Sequence, residues 1–213
     1  MSYPASIEPD LDCADDIQAP PSDLWSDEPP LESDLHREQI DLLIRILKLL
    51  WQDRDDFYVS GNLTVYYNQR QLKSRDFRGP DLFVVLGTEK KDRKSWVVWE
   101  EDGKYPNVIL EILSSSTEKI DRGLKKELYQ DVFRTPDYFW FDPETLEFKG
   151  FHTVDGRYEP LQSTEQGLLW SQQVGLYLGL RERKLRWFDA DGQLIASPEE
   201  QAEQERQRAE QER

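Results

Sequence analysis

A single carboxylate set into an unbroken apolar run constrains this fold more than any other feature of the chain: Val108-Ile109-Leu110-Glu111-Ile112-Leu113. A short run that is apolar at nearly every position predicts a β-strand covered on both faces of a sheet. An unpartnered charge buried there would cost several kcal/mol, so a cation must stand beside Glu111. Either a metal ion or a lysine would serve. A second acid, Asp81, heads another apolar run, Pro80-Asp81-Leu82-Phe83-Val84-Val85-Leu86. Two acids on neighbouring strands of one sheet suit a divalent cation.

The chain has the length to build such a sheet. Its 213 residues predict one globular unit with additional arms, since domains usually run about 100 to 200 residues. The lone cysteine, Cys13, excludes an internal disulfide framework and points to a reducing compartment, the cytoplasm. No apolar run approaches the roughly 18 residues of a membrane span, and the acidic, proline-dotted opening is unlike a secretory signal. A soluble, unexported protein is expected.

A formal net charge of −16 would repel nucleic acid if it were spread evenly. It is not. Residues 1–34 carry ten acids and no base, and residues 198–213 carry six acids and three arginines. The remaining body is close to −3, and within it the segment from Gln69 to Lys94 has a local charge of +4 that surrounds Asp81. Arg70, Lys73, Arg75 and Arg78 lie before that acid, and Lys90, Lys91, Arg93 and Lys94 after it. Basic groups around an acid pair are what a polyanionic substrate requires. A solvated charged loop is the plainer reading of the same run.

Three regions follow from composition. Residues 1–31 are acidic and proline-rich, unable to repay their ordering entropy with a core of their own, and predict an extended or disordered arm that Leu24 and Trp25 could dock. Residues 32–197 form the folded domain. Residues 198–213 predict a solvated, charged helix in which Glu203 with Arg206 and Glu205 with Arg208 are i,i+3 pairs; a self-sufficient coiled coil is not expected from alanine alone at one heptad position.

Within the domain, Leu35, Ile40, Leu42, Leu43, Ile46, Leu47 and Leu50 recur at helical spacing, with Ser33 or Asp34 as the cap and an end near Gln52. Phe57–Ser60 and Leu63–Tyr67, joined by Gly61-Asn62, read as a β-hairpin. After the two acid-bearing strands, a second helix is expected around Asp121 to Arg134, ended by Pro136. Its apolar stripe Leu124, Leu128 and Val132 should pack on the sheet. Asp121, Lys125 and Tyr129, at i, i+4 and i+8, share an adjacent face from which Lys125 can reach the carboxylates. Strands resume at Tyr138–Phe141, Glu147–His152 and Arg157–Leu161, and a last hairpin joins Leu185–Phe188 to Gln193–Ile195. The order predicts an α+β, α/β-like fold with one mixed central sheet.

These blocks, Gly79-Pro80-Asp81, Val108 to Thr117, Asp121 to Tyr129 and Thr135-Pro136-Asp137-Tyr138 to Asp142, resemble the Uma family of restriction-endonuclease-like proteins. That family is a branch of the PD-(D/E)XK phosphodiesterase superfamily. The resemblance runs from about Glu32 to Asp189 and keeps the family order. It implies a restriction-endonuclease-like αβββα core in which Asp81 and Glu111 bind Mg²⁺, or Mn²⁺ in its place. A lysine would position or activate the attacking water. The superfamily's E-x-K would put that lysine where Leu113 stands, and Lys125 on the following helix resembles its migrated replacement. Glu32 and His36 resemble the family's E-x-x-x-H, with Glu38 a rival for the same supporting role beside Asp121 and Tyr129.

Each of these residues also has a plain structural reading. Asp81 could be a turn residue after proline, Glu111 and Lys125 a buried ion pair, His36 an ordinary helix residue, and Tyr138 and Trp140 core. Ser114 to Thr117 lacks the G-x-S-x-G of a nucleophile elbow and reads as a loop. No nucleotide-binding glycine loop, spaced cysteine pair or H-E-x-x-H occurs. The expected function is a metal-dependent phosphodiesterase, a DNA endonuclease with DNA as partner, and a homodimer where both strands of a duplex are cut. The alternative is a catalytically inactive nuclease-like scaffold that acts in DNA binding or protein association.

Overall fold

The computed structural model describes residues 24, 26, 33–68, 79–114 and 121–212, with only the backbone at 121 and 122. Helix α1, Asp34–Leu50, starts where Ser33 accepts a hydrogen bond from the His36 N–H, and Asp34 and Lys48 complement its dipole. It buries His36, Gln39, Ile40, Leu43, Ile46 and Leu47, while Leu35 and Leu50 face solvent. The buried face therefore includes two polar side chains, each with a partner. The Gln39 amide pairs in both directions with the backbone of Leu185, at 2.8 and 2.9 Å. His36 belongs to the site described below.

The central sheet has the order β1-β3-β5-β6-β7-β8, from β1 Phe57–Ser60, β3 Leu82–Leu86, β5 Val108–Ile112, β6 Asp137–Phe141, β7 Phe148–Val154 and β8 Arg157–Pro160. Only β5 and β6 run parallel. Parallel strands need a crossover, and helix α2 supplies it. This helix consists of π-type turns over Asp121–Lys125 and Leu128–Phe133, joined through Lys126 and Glu127. With the two-residue strands β2 Val65–Tyr66 and β4 Trp96–Val97 set aside, α1, β1, β3, β5 and α2 follow as αβββα. The α+β architecture and the mixed central sheet are those expected.

The alternation of a strand divides two apolar layers. Leu82, Val84, Leu110, Ile112, Phe139 and Phe141 pack with α1. Phe83, Val85, Ile109, Leu113, Tyr138 and Trp140 pack with Tyr129 and Phe133 of α2. The α1 layer is closed by a separate sheet of β9 Leu169–Ser171, β10 Leu176–Arg181 and β11 Lys184–Phe188, through Leu178, Leu185 and Trp187.

Several local expectations need correction. Phe57–Ser60 and Val65–Tyr66 do not form a hairpin: β1 pairs with β3, and β2 pairs parallel to β4. Gly61-Asn62 serves a different end. A Cβ on Gly61 would lie 2.5 Å from both the Asp81 carbonyl oxygen and Ile40 Cγ2, and Asn62 donates its N–H to that same oxygen at 3.2 Å with φ at 46°. The glycine is needed for close approach. The hairpin of β10 and β11 was not read from sequence because its two-residue turn is Glu182-Arg183, both at positive φ, without the usual Asn-Gly signature. Gln193–Ile195 adds only an isolated bridge, Phe188 to Leu194. The central sheet is therefore accompanied by two smaller ones.

At the chain's ends, Ser26 donates its N–H to Lys94 O, and Ser95 Oγ donates to Leu24 O. This part of the acidic arm is docked; the rest of residues 1–31 lies outside the described residues. The tail is helix α3, Pro198–Gln211, with a capping box between Ser197 and Glu200 and no buried residue. No helix among the described residues is long and apolar enough to cross a membrane.

Candidate functional site

Strands β3 and β5 pair antiparallel with Leu82 opposite Leu110. One step further along both strands sets Asp81 against Glu111, on the face that α2 covers. The Asp81 carboxylate is held at Oδ2, which accepts the Ile112 N–H at 2.7 Å and His36 Nε2–H at 3.2 Å. Its Oδ1 accepts no hydrogen bond from a described residue. His36 reaches it from the first turn of α1, whose start the Ser33 cap sets.

Glu111 has no exposed surface. Lys125 Nζ donates to its Oε2 at 3.0 Å, and the Tyr129 hydroxyl donates to its Oε1 at 2.6 Å. The burial penalty inferred from sequence is thus met by a lysine and a phenol. Burial, and then the negative charge of Glu111, push the Tyr129 pKa well above the usual tyrosine range. Tyr129 therefore remains a hydrogen-bond donor throughout the physiological pH range.

The face of α2 that meets the sheet is not the one expected. Tyr129 and Phe133 are buried, whereas Leu124 and Val132 are 63% and 45% exposed. Turns bonded i to i+5 hold more residues than the 3.6 of an α turn, so the face that an α repeat predicts is rotated along such a helix. Lys125, Tyr129 and Phe133 meet the sheet side instead. Hydrogen bonds to the buried Glu111 and ring contacts of Tyr129 with Phe133 and Tyr138, at 5.3 and 5.6 Å, outweigh the exposure of two aliphatic side chains. Leu113, where an E-x-K lysine would stand, is buried in the same layer.

The site thus gathers Asp81, Glu111, Lys125, Tyr129 and His36. Glu38, the rival for the acid of the first helix, is exposed, with its carboxylate 3.9 Å from the Lys184 ammonium. Glu32, the Asp121 side chain and the basic residues of 69–78 lie outside the described residues. The backbone N–H of Ile112 and the Gly61-Asn62 turn, which both hold Asp81, were not read from sequence; a Gly-Asn pair resembles a hairpin turn until the sheet order is known. Among the described residues no three histidine, cysteine or acidic side chains cluster as a closed metal cage. Asp81 and Glu111 are the two carboxylates that could hold a Mg²⁺ ion, which commonly takes one or two and completes its shell with water and substrate phosphate.

Asp137, from the fourth sequence block, belongs to a separate cluster. It is fully buried; Oδ1 accepts from His152 Nδ1 at 2.6 Å, and Oδ2 accepts from Ser171 Oγ at 2.5 Å and the Gln173 N–H at 3.0 Å. With both oxygens engaged, it ties β6 to β7 and to the three-stranded sheet.

The Uma2 family, described as "Putative restriction endonuclease", matches residues 24–185. No curated protein matches the chain. A crystal structure of a putative nuclease belonging to DUF820, from Anabaena variabilis ATCC 29413, superposes with a TM-score of 0.49 at 13% sequence identity, covering 68% of this chain and 75% of that one. The family match spans α1, both acid-bearing strands and α2, and the chain belongs to the Uma2 family of restriction-endonuclease-like proteins.

Proposed function

We propose that this chain is a divalent-metal-dependent DNA endonuclease, acting in the cytoplasm, whose site is Asp81, Glu111 and Lys125. The observation that carries the reading is the meeting of three elements at one point. Asp81 lies at the start of β3, Glu111 lies on β5, and Lys125 comes from α2 with its ammonium 3.0 Å from Glu111.

Asp81 and Glu111 would hold the ion, Mg²⁺ or Mn²⁺. When bound, the ion would polarise the scissile phosphate and lower the pKa of a water. Lys125 would orient the attacking water or stabilise the charge that develops on the phosphate oxygens. Tyr129 keeps Glu111 oriented through Oε1, and His36 does the same for Asp81. One such site per chain would cut one strand, so cleavage of both strands of a duplex calls for two copies.

The filled hydrogen bonds of Glu111 favour a second reading, a structural ion pair on a non-catalytic scaffold for DNA binding or protein association. Nicking of supercoiled plasmid by purified protein, with Mg²⁺ and then Mn²⁺, separates the two. Under the nuclease reading the wild type nicks, and Glu111→Ala and Lys125→Ala, prepared identically, lose cleavage. Cleavage retained by Glu111→Ala would reject the assigned site. No cleavage by the wild type, together with no thermal stabilisation by either metal, would select the scaffold.

A further inference from the structure

Beside the carboxylate site, on the side of β7, the fold brings two lysines together. Glu111 stands opposite Trp140 on β6, and Trp140 stands opposite Lys149 on β7. Residues paired across strands project from the same face, so Lys149 lies in line with Glu111 at two strand spacings, about 10 Å. Its side chain is exposed. Phe151, two residues along the same face of β7, carries the Lys126 ammonium over its ring, 3.6 Å from the centroid. Consecutive lysines of α2 therefore diverge, with Lys125 turning to Glu111 and Lys126 to β7.

Neither Lys126 nor Lys149 is paired with a carboxylate among the described residues. Some other surface cations are so paired, Arg37 with Asp34, Lys91 with Glu89 and Lys184 with Glu38. A ring face fixes the position of an ammonium group without neutralising it. Two positive charges held beside the site and left without a protein anion are arranged for an anion from outside.

We propose that Lys126 and Lys149 bind the phosphate backbone of duplex DNA on the β7 side of the site, setting the register of the strand that crosses it. This contact rests on the nuclease reading and extends it to the course of the substrate. Backbone contacts of this kind position a duplex and carry no sequence information.

The test is binding of a fluorescent DNA duplex to the full chain, followed by anisotropy in EDTA at several salt concentrations. Lys126→Ala and Lys149→Ala are each expected to weaken binding about five- to tenfold and to make the slope of log K against log salt shallower by about 0.9, the loss of one phosphate contact. Lys126→Arg and Lys149→Arg restore both values, and Lys48→Ala, on the exposed side of α1, changes neither. Lys149 is exposed, so its variant tests the contact without disturbing packing. Wild-type binding with unchanged affinity and slope in both alanine variants would overturn the contact and leave the endonuclease reading standing. Failure of the wild type to bind duplex, in EDTA and again with Ca²⁺ in place of Mg²⁺, would overturn both.

Discussion

At the scale of single residues, Glu111 decides how this sheet is covered. Its carboxylate has no access to water, so each hydrogen bond to it replaces solvation that folding removed. Tyr129→Phe deletes one of those donors while keeping the ring. A hydrogen bond to a charged group is worth about 1.5–3 kcal/mol, so Tyr129→Phe is expected to lose that much stability by thermal or denaturant unfolding. An unchanged midpoint would mean that the Tyr129 hydroxyl gives Glu111 no net stabilisation in the folded protein. The carboxylate in the apolar run was legible in sequence, and so was the need for a cation beside it. The phenol was placed on the right face of α2 without its bond being foreseen, because a hydroxyl on a helix has no pattern of its own.

At the scale of elements, α2 shows why periodicity alone could mislead. Leu124, Leu128 and Val132 have the spacing of a packed stripe, yet Tyr129 and Phe133 are the buried residues. The two alternatives make opposite predictions. Leu124→Ser should change stability by less than about 0.5 kcal/mol, as for an ordinary surface position, whereas Phe133→Ala should cost about 3–5 kcal/mol through the cavity it leaves. Equal losses in urea unfolding would restore the stripe to the core. The misread hairpin has a similar origin. Gly61-Asn62 carries a turn signal, but the strand after it pairs elsewhere and the glycine makes room for the Asp81 backbone.

At the scale of the whole molecule, the charged α3 is held to the described body through ion pairs of its first turn. Glu200 accepts two hydrogen bonds from the guanidinium of the buried Arg186, at 3.0 and 2.6 Å, and Glu199 pairs with Arg45 of α1. The hydrogen bonds from Arg186 hold the Glu200 carboxyl below the ordinary value of 4.5. A carboxyl whose pKa is depressed by folding contributes stability above its unfolded value and loses it as pH falls through the lower folded one. Glu200→Gln is therefore expected to lower the melting temperature at neutral pH, by roughly 1 kcal/mol of stability in the range of a helix cap. The gap should close below pH 4.5. A gap that stays constant through that range would show that the carboxylate charge is not what anchors α3.

Sequence alone determined the composition of this protein's core and the chemistry it must contain. Apolar runs place the strands, the acid within one of them demands a cation, and four blocks in order identify the family. Local patterns suffice there because strand burial and helix capping depend on neighbours in the chain. Which face α2 buries, what Gly61-Asn62 supports, how β10 meets β11 and that Lys149 stands in line with Glu111 were decided by tertiary structure. Each depends on residues distant in sequence, and long-range pairing leaves no local periodicity to read.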